Sequence, residues 1–358
     1  MIDKIGRVFP LVQEIRQLRK ERKMLFDEAV VLFAEERPVH GSLDDYKDAL
    51  LKHRVSYREY MYGYEFWRLD EKQREAFISQ REMWCIYRKT IHMNVRRHFV
   101  NKVLFLKTFN PFVQRGWIWP EEVAYCDFAA FLSSRQCIAK PLQGELGKGI
   151  FLVDETHRKD LPGFYHACKE NQLLIEERIE ECREIAEFHP QSLNTIRVVT
   201  MSGHGKAEVL GALLRMGAKG SFVDNTHSGG LFAAIDVSNG MLLSDGMDLW
   251  GNRFERHPDS GKIIKGFQIP HWKECIEVCK NATQVIPETY WAGWDICILP
   301  DGRVELIEGN SAPDVDGGLR APLKKGIKGA IEKHYKDLFD FDPISLISVC
   351  SRSYKKWN

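Results

Sequence analysis

The stretch ELIEGNSAPD places Glu308 and Asn310 two residues apart at the end of an apolar run. In an extended strand, residues two apart point to the same face of a sheet, so the two side chains share one surface. A carboxylate and an amide oxygen on one surface are hard ligands of the kind that divalent cations prefer. The pair therefore raises the question of a third ligand.

An Asp-Gly dipeptide, Asp301-Gly302, stands between two strand-like runs and predicts a tight hairpin turn. A two-residue loop at this turn puts Asp295 directly opposite Glu308, and a four-residue loop keeps that pairing. A three-residue loop shifts the pairing by one residue. With Asp295 opposite Glu308, the side chains of Asp295, Glu308 and Asn310 form one cluster, which suits one or two Mg²⁺ ions. The alternative is an exposed polar face on an edge hairpin.

A glycine-rich turn in IAKPLQGELGKGIFLV lies between two β-like runs and contains Gly144, Gly147, Lys148 and Gly149. Lys140 ends the first run. Glycines let backbone N–H groups approach a phosphate closely, so the turn is a candidate phosphate loop. Because both flanks are strand-like, it differs from the phosphate loops that open a helix. An ordinary turn is the alternative reading.

The composition narrows the class of protein. The chain has 358 residues, is 44% hydrophobic and has a net charge of +1, which lacks the basic excess of a nucleic-acid-binding protein. Nine cysteines without CxxC pairs indicate a reduced, cytoplasmic protein, with Cys275 and Cys279 as core residues rather than metal ligands. Neither a signal peptide nor an apolar run long enough to span a bilayer is visible, which predicts a soluble or at most peripheral protein.

The pattern of helix-like and strand-like runs along the chain predicts three regions. Residues 1–98 read as helices, residues 99–178 as a small subdomain that carries the glycine turn, and residues 179–358 as a larger subdomain with the Asp-Glu-Asn cluster. Strands and helices mix from residue 99 onward, so the expected class is α+β. Basic residues near the N-terminus allow contact with an anionic membrane, but interleaved glutamates favour a solvated helix face.

The order of these motifs resembles the ATP-grasp superfamily: a lysine in NKVLF, a lysine with a glycine hairpin, the glutamate-rich strand end LLIEERIEE, then a distant Asp…Glu-x-Asn. SLNTIRVVTM, FVDNTHSGG, HPDSG, GFQIPHW and GWDICILPDGRVELIEGNSAPD resemble, more closely, the sugar-transfer-associated ATP-grasp family. The resemblance implies an ATP-grasp fold, in which two α+β subdomains enclose ATP, preceded here by a helical region.

The resemblance also implies roles for individual positions. Glu181 or Glu184 is implied to hold the ribose, and that choice stays open. The phosphate-binding set is Lys102, Lys140, Gly144, Gly147, Lys148 and Gly149, and the adenine-binding set is Glu176, Glu177 and Ile179. The metal ligands are Asp295, Glu308 and Asn310, the catalytic set is Arg197, Arg215 and Asn225, and the substrate set is Asp224, Gly229 and Gly230.

The implied activity is an ATP- and Mg²⁺-dependent carboxylate–amine ligase that acts through an acyl phosphate. Family association suggests that it joins an amino acid or amine to a carboxylated sugar or related precursor in glycan biosynthesis. Two alternatives remain: a phosphotransferase on the same fold, and a non-catalytic nucleotide-binding scaffold of a polysaccharide assembly system. Small-molecule partners are expected, and the sequence does not decide the oligomeric state.

Overall fold

The computed structural model of the chain describes residues 20, 22–28, 30–31, 41–63, 65–142, 149–221, 224, 229–314, 323 and 325–347. It divides into two compact units, one formed by Met1–Thr90 with Asp314–Asn358 and the other by Ile91–Pro313. The predicted division at residues 98 and 178 groups the chain differently and stays a prediction.

The first unit is helical where the structure describes it. Residues 22–28 are helical, and Ser42 caps the next helix by accepting a 3.1 Å hydrogen bond from the Asp45 amide. The buried Arg74 binds both oxygens of Asp45 at 2.7 and 2.8 Å and ties two helices together. Further α-helices described in this unit are α1 (Leu43–His53), α2 (Glu71–Ala76), α3 (Gln80–Thr90) and, after the second unit in the chain, α11 (Lys328–Leu338).

The second unit contains two antiparallel sheets. The small sheet has the order β1-β4-β2-β3 and the large sheet has the order β11-β10-β5-β6-β7-β8-β9. The strands are β1 (Trp117–Ile118), β2 (Cys137–Pro141), β3 (Phe151–Leu152), β4 (Leu173–Glu177), β5 (Ile196–Gly203), β6 (Lys206–Met216), β7 (Leu231–Ile235), β8 (Gly246–Met247), β9 (Arg253–Phe254), β10 (Trp291–Ile298) and β11 (Val304–Asn310).

Helices of the second unit pack on these sheets and confirm the predicted α+β class. Phe128 and Phe164, from two of these helices, pack in the core of the small sheet. The helices are α4 (Met93–Val100), α5 (Lys102–Thr108), α6 (Tyr125–Ser133), α7 (Glu155–Lys159), α8 (Leu161–Glu170), α9 (Arg183–Ala186) and α10 (Trp272–Gln284).

The large sheet has one apolar face and one polar face. Alternate residues of β10, including Trp294 and Ile296, point into the core, and Cys275 and Cys279 of α10 belong to the same core, as predicted. Among the described residues no group of three or more His, Cys, Asp or Glu side chains is placed to hold a metal ion, so these cysteines have no further protein ligand there. The opposite face carries the charged residues of the candidate site.

The β10–β11 hairpin confirms the predicted pair but not the predicted turn. Asp295 lies opposite Glu308, yet Ile296 lies opposite Leu306, so the register shifts between them and Ile307 is an extra residue, a β-bulge. The Leu299 amide bonds to the Arg303 carbonyl at 2.8 Å, which makes the loop three residues long. The loop alone would turn Glu308 into the core, and the bulge restores it to the polar face.

Glycines on β10 and β11 allow close packing on both faces of this hairpin. A Cβ on Gly309 would lie 2.9 Å from Phe99 and Trp294, which fill the core face. A Cβ on Gly293 would lie 2.7 Å from Pro313, so the chain after β11 crosses close over the polar face. In the parts of the chain that the structure describes, none of the helices has both the length and the apolar character to cross a bilayer.

Candidate functional site

Asp295 is the centre of the polar face of the large sheet. It is buried, and its neighbour across the strand pair is Arg197 of β5. Arg197 donates from Nε to Oδ1 and from Nη2 to Oδ2, the second bond being 2.8 Å long, and Arg215 donates from Nη2 to Oδ2 at 2.9 Å. Burial alone would raise the pKa of Asp295, but the two guanidinium groups hold it well below its usual range. The predicted Arg197, Arg215 and Asp295 are thus one ionic cluster.

Thr195 connects this cluster to the predicted substrate segment. Its hydroxyl accepts bonds of 3.1 and 2.9 Å from Arg215 and donates to Asp224, whose carboxylate also accepts the Thr195 amide at 2.9 Å. Asp224 is buried and lies 3.5 Å from Arg215. Gly229 has a left-handed φ of 93°, and Gly230 is buried just before β7. The predicted Asn225 lies outside the described residues.

Glu308 and Asn310 complete the predicted metal face. Glu308 keeps access to solvent but is closely surrounded by protein, and this loss of hydration together with the Asp295 carboxylate raises its pKa. The two carboxyl groups are close enough to share a hydrogen bond, so added positive charge is favoured there. Asn310 Oδ1 accepts the Ala312 amide at 2.9 Å and is exposed. These hard oxygen donors fit Mg²⁺, which usually takes one or two carboxylates and leaves other positions for phosphate and water.

Two of the predicted phosphate-binding lysines, Lys102 and Lys140, have their hydrogen bonds near the end of β2. Lys102 donates to the carbonyls of Pro141 and Leu142 at 2.8 and 3.3 Å, and Lys140 donates to Glu176 at 2.8 Å. Gly149, at the return of the loop, has a φ of 76°, and a Cβ there would lie 2.9 Å from Pro141. Gly144, Gly147 and Lys148 lie outside the described residues.

The predicted adenine-binding segment lies where β4 leaves the small sheet. Glu176 is buried, its carboxylate is bonded to Lys140 and Arg115, and these cations lower its pKa to about 2 although burial alone would raise it. The carboxylate of Glu176 is therefore engaged by these two cations, and its contact with adenine stays a prediction. Glu177 accepts the Gly116 amide at 3.0 Å, and Ile179 lies just beyond the strand, half-buried.

The two ribose candidates lie in different surroundings. Glu184 is exposed, whereas Glu181 is buried and accepts a 2.6 Å bond from the side chain of Asn194. Burial raises the pKa of Glu181 to about 8. The choice between them stays open.

Sequence reasoning missed Arg115 and Glu305. Glu305 is on β11, the strand that carries Glu308, and Arg115 is bonded to that strand. Both are buried, and Arg115 Nη1 donates to Glu305 Oε1 while its Nε donates to Glu176 Oε2 at 2.6 Å. Arg115 thereby connects the small sheet to β11. Glu305 alternates with the core residues Val304 and Leu306, so the sequence places it on the polar face and no local pattern signals its burial against Arg115.

A family model described as "Sugar-transfer associated ATP-grasp" matches residues 113–330 of the chain. The chain belongs to this family. The match covers both sheets and every predicted site residue except Lys102. Among curated proteins, no sequence matches significantly.

Solved structures similar to this member of the family include other ATP-grasp proteins. The ATP-grasp ligase PsnB, complexed with minimal precursor, Mg and ADP, is 14% identical with a TM-score of 0.37, over 74% of this chain and 61% of PsnB. Biotin carboxylase from Campylobacter jejuni is 11% identical with a TM-score of 0.42, over 71% and 46% of the two chains. D-alanine–D-alanine ligase from Bacillus anthracis is 12% identical with a TM-score of 0.37, over 72% and 69%. This chain thus spans less than two thirds of PsnB and of the carboxylase.

Proposed function

We propose that the protein is an ATP- and Mg²⁺-dependent ligase that joins a carboxylate to an amine through an acyl phosphate. The carboxylate substrate is a sugar acid or a related precursor, and the amine is an amino acid or similar molecule. Membership of a family described as sugar-transfer associated supports the sugar part of this proposal. The polar face of the large sheet supports the chemistry.

The observation that carries the proposal is the cluster around Asp295. It combines two carboxylates, Asp295 and Glu308, with two arginines, Arg197 and Arg215, on one sheet face. Transfer of a phosphoryl group to a carboxylate brings two anions together, and its main demand is positive charge and alignment. The carboxylates of the cluster would bind a divalent cation, and its guanidinium groups supply further positive charge next to that cation. It needs no serine or cysteine nucleophile.

The proposed reaction has two steps. A carboxylate oxygen attacks the γ-phosphorus, the bond from that phosphorus to the β,γ-bridging oxygen breaks, and ADP leaves. The amine nitrogen then attacks the acyl carbon, the bond from that carbon to the phosphate oxygen breaks, and inorganic phosphate leaves as the amine loses a proton.

Residues of this chain would align and neutralise the reactants. Arg197 and Arg215, which are held by Asp295 and Thr195, would face the transferred phosphoryl group and the substrate carboxylate. Lys102 and Lys140 would hold the phosphates that stay with ADP. Asp295, Glu308 and Asn310 would hold Mg²⁺, which supplies further neutralisation of the triphosphate charge.

An ADP-release assay tests the class of reaction. The protein with ATP and Mg²⁺ is offered uronic acids, sugar nucleotides and amino acids, singly and in pairs. We expect release that needs one carboxylate and one amine together and rises at least ~10-fold over the ATP-only rate. Release with a single hydroxyl substrate and a phosphorylated product would instead indicate a phosphotransferase. ATP binding without stimulated release across the panel would favour a scaffold.

A further inference from the structure

Arg115 is a buried cation whose guanidinium reaches both sheets. Only 2% of its side chain is exposed, and its Nε donates to Glu176 on β4. Its Nη1 donates to Glu305 and, at 2.7 Å, to the Leu306 carbonyl, and its Nη2 donates to the Ile307 carbonyl at 3.1 Å. Four acceptors on two strands therefore converge on one side chain.

Two of these acceptors belong to the bulge in β11. Ile307 is the extra residue, and Leu306 precedes it. A bulge interrupts the regular ladder, and a carbonyl there that lies away from water needs another donor. The planar guanidinium supplies donors in a fixed fork, which a lysine does not offer. Arg115 thus binds the backbone at the point where the register changes.

The position of Glu308 depends on this bulge. With the three-residue loop, Ile298 pairs with Val304 and Ile296 pairs with Leu306. Continuing that register would place Ile307 opposite Asp295. Because Ile307 is an extra residue, Glu308 takes that position instead. If the bulge relaxed or moved along the strand, Glu308 would turn from the polar face toward the core. The bulge is therefore part of the metal face, although Arg115 touches neither carboxylate of that face.

The charges around Arg115 are balanced. Lys140 and Arg115 are the cations and Glu176 and Glu305 are the anions of one connected network, with Lys140 12% exposed and the other three nearly inaccessible. Removing Arg115 alone leaves two buried carboxylates with one cation, which destabilises the fold. Removing Arg115 together with the charge of Glu305 leaves the pair Lys140–Glu176 and restores the balance.

We propose that Arg115 is a positioning residue that fixes the bulge at Ile307 and thereby sets Glu308 opposite Asp295 for cation binding. This inference rests on the proposed function, because it concerns the metal face of that site. It assigns to Arg115 a role in cation affinity that is separate from its contribution to stability.

The test compares Arg115→Met/Glu305→Gln with Glu305→Gln alone. The single variant keeps Arg115 and its bonds to the two bulge carbonyls, and the double variant removes those bonds while keeping the network neutral. Mn²⁺ binding in the presence of the ATP analogue AMPPNP is followed by electron paramagnetic resonance. We expect an affinity within ~3-fold of wild type for Glu305→Gln and at least ~10-fold weaker for the double variant, as for other residues that orient metal ligands.

Near-ultraviolet circular dichroism at the titration temperature shows whether each variant keeps native packing. A double variant with native packing that binds Mn²⁺ as tightly as Glu305→Gln would overturn the proposal and leave Arg115 a purely stabilising role. If the double variant does not fold, Arg115→Lys replaces it, since a lysine keeps the charge but not the fork, and the same ~10-fold loss is expected. A wild-type protein that binds no Mn²⁺ with AMPPNP would instead contradict the proposed function.

Discussion

Asp295→Asn is expected to lower ATP turnover by at least ~10²-fold, because one substitution removes a proposed cation ligand and the anion that holds two arginines. Both carboxylate oxygens of Asp295 accept from Arg197 or Arg215, so an amide nitrogen at either position would face a guanidinium donor. The arginines would then lose their alignment. The measurement is ADP release with saturating substrates, together with Mn²⁺ affinity in the presence of AMPPNP.

Asp301→Asn is the matched control for that experiment. Asp301 stands on the same hairpin, but it is exposed and pairs only with Arg303 among the contacts of the described residues. Turnover should stay within ~2-fold of wild type, since exposed ion pairs contribute little. If Asp295→Asn kept wild-type turnover and Mn²⁺ affinity, the polar face of the large sheet would not be the reaction site.

Arg115→Met is expected to lower the free energy of unfolding by about 3–5 kcal/mol, because it leaves buried carboxylates with too little positive charge. Glu305 depends on Arg115 alone among the cations that lie beside it in the described residues, whereas Glu176 also pairs with Lys140. Urea unfolding at neutral pH, followed by tryptophan fluorescence, measures the loss. A change below about 1 kcal/mol would mean that Arg115 contributes no net ion pairing there.

The pH dependence of this loss has a definite sign. In the wild type the pKa of Glu176 is about 2, below its ordinary value, so its contribution to stability is present above pH ~4.5 and is lost as the pH falls toward 2. Burial raises the pKa of both Glu176 and Glu305, and Arg115 opposes that rise. In Arg115→Met this opposition is lost, so both carboxylates take up protons at a higher pH. The difference between variant and wild type should therefore shrink as the pH falls below ~4.5, and a difference that grew there would contradict the ionic explanation.

The pairing of Asp295 with Glu308 was predicted correctly, but from a two-residue loop that the protein does not have. Alternation and the Asp-Gly turn identify the hairpin, because both depend on neighbours in sequence. The predicted two-residue loop was wrong: the loop has three residues, and the bulge at Ile307 compensates for it. No local pattern marks that bulge, since its carbonyls are bonded by Arg115, which lies far away in the chain.

Contacts distant in sequence also explain which interactions of the small sheet and of the Asp295 cluster were missed. Lys140 and Glu176 were predicted from strand-end motifs, and the structure pairs them with each other through the order of β2 and β4 in the small sheet. Thr195 was not singled out, because a threonine at the start of a strand is unremarkable until Arg215 and Asp224 are placed beside it. The roles assigned to these side chains toward ATP stay predictions.

Transfer of ¹⁸O from the substrate carboxylate tests the central claim most directly. Once the ADP-release assay has identified a carboxylate and an amine that work together, the carboxylate is labelled and the released phosphate is analysed by mass spectrometry. An acyl phosphate keeps one carboxylate oxygen on phosphorus when the amine attacks carbon. The account predicts one ¹⁸O in inorganic phosphate per turnover, and unlabelled phosphate released with the same product would contradict it.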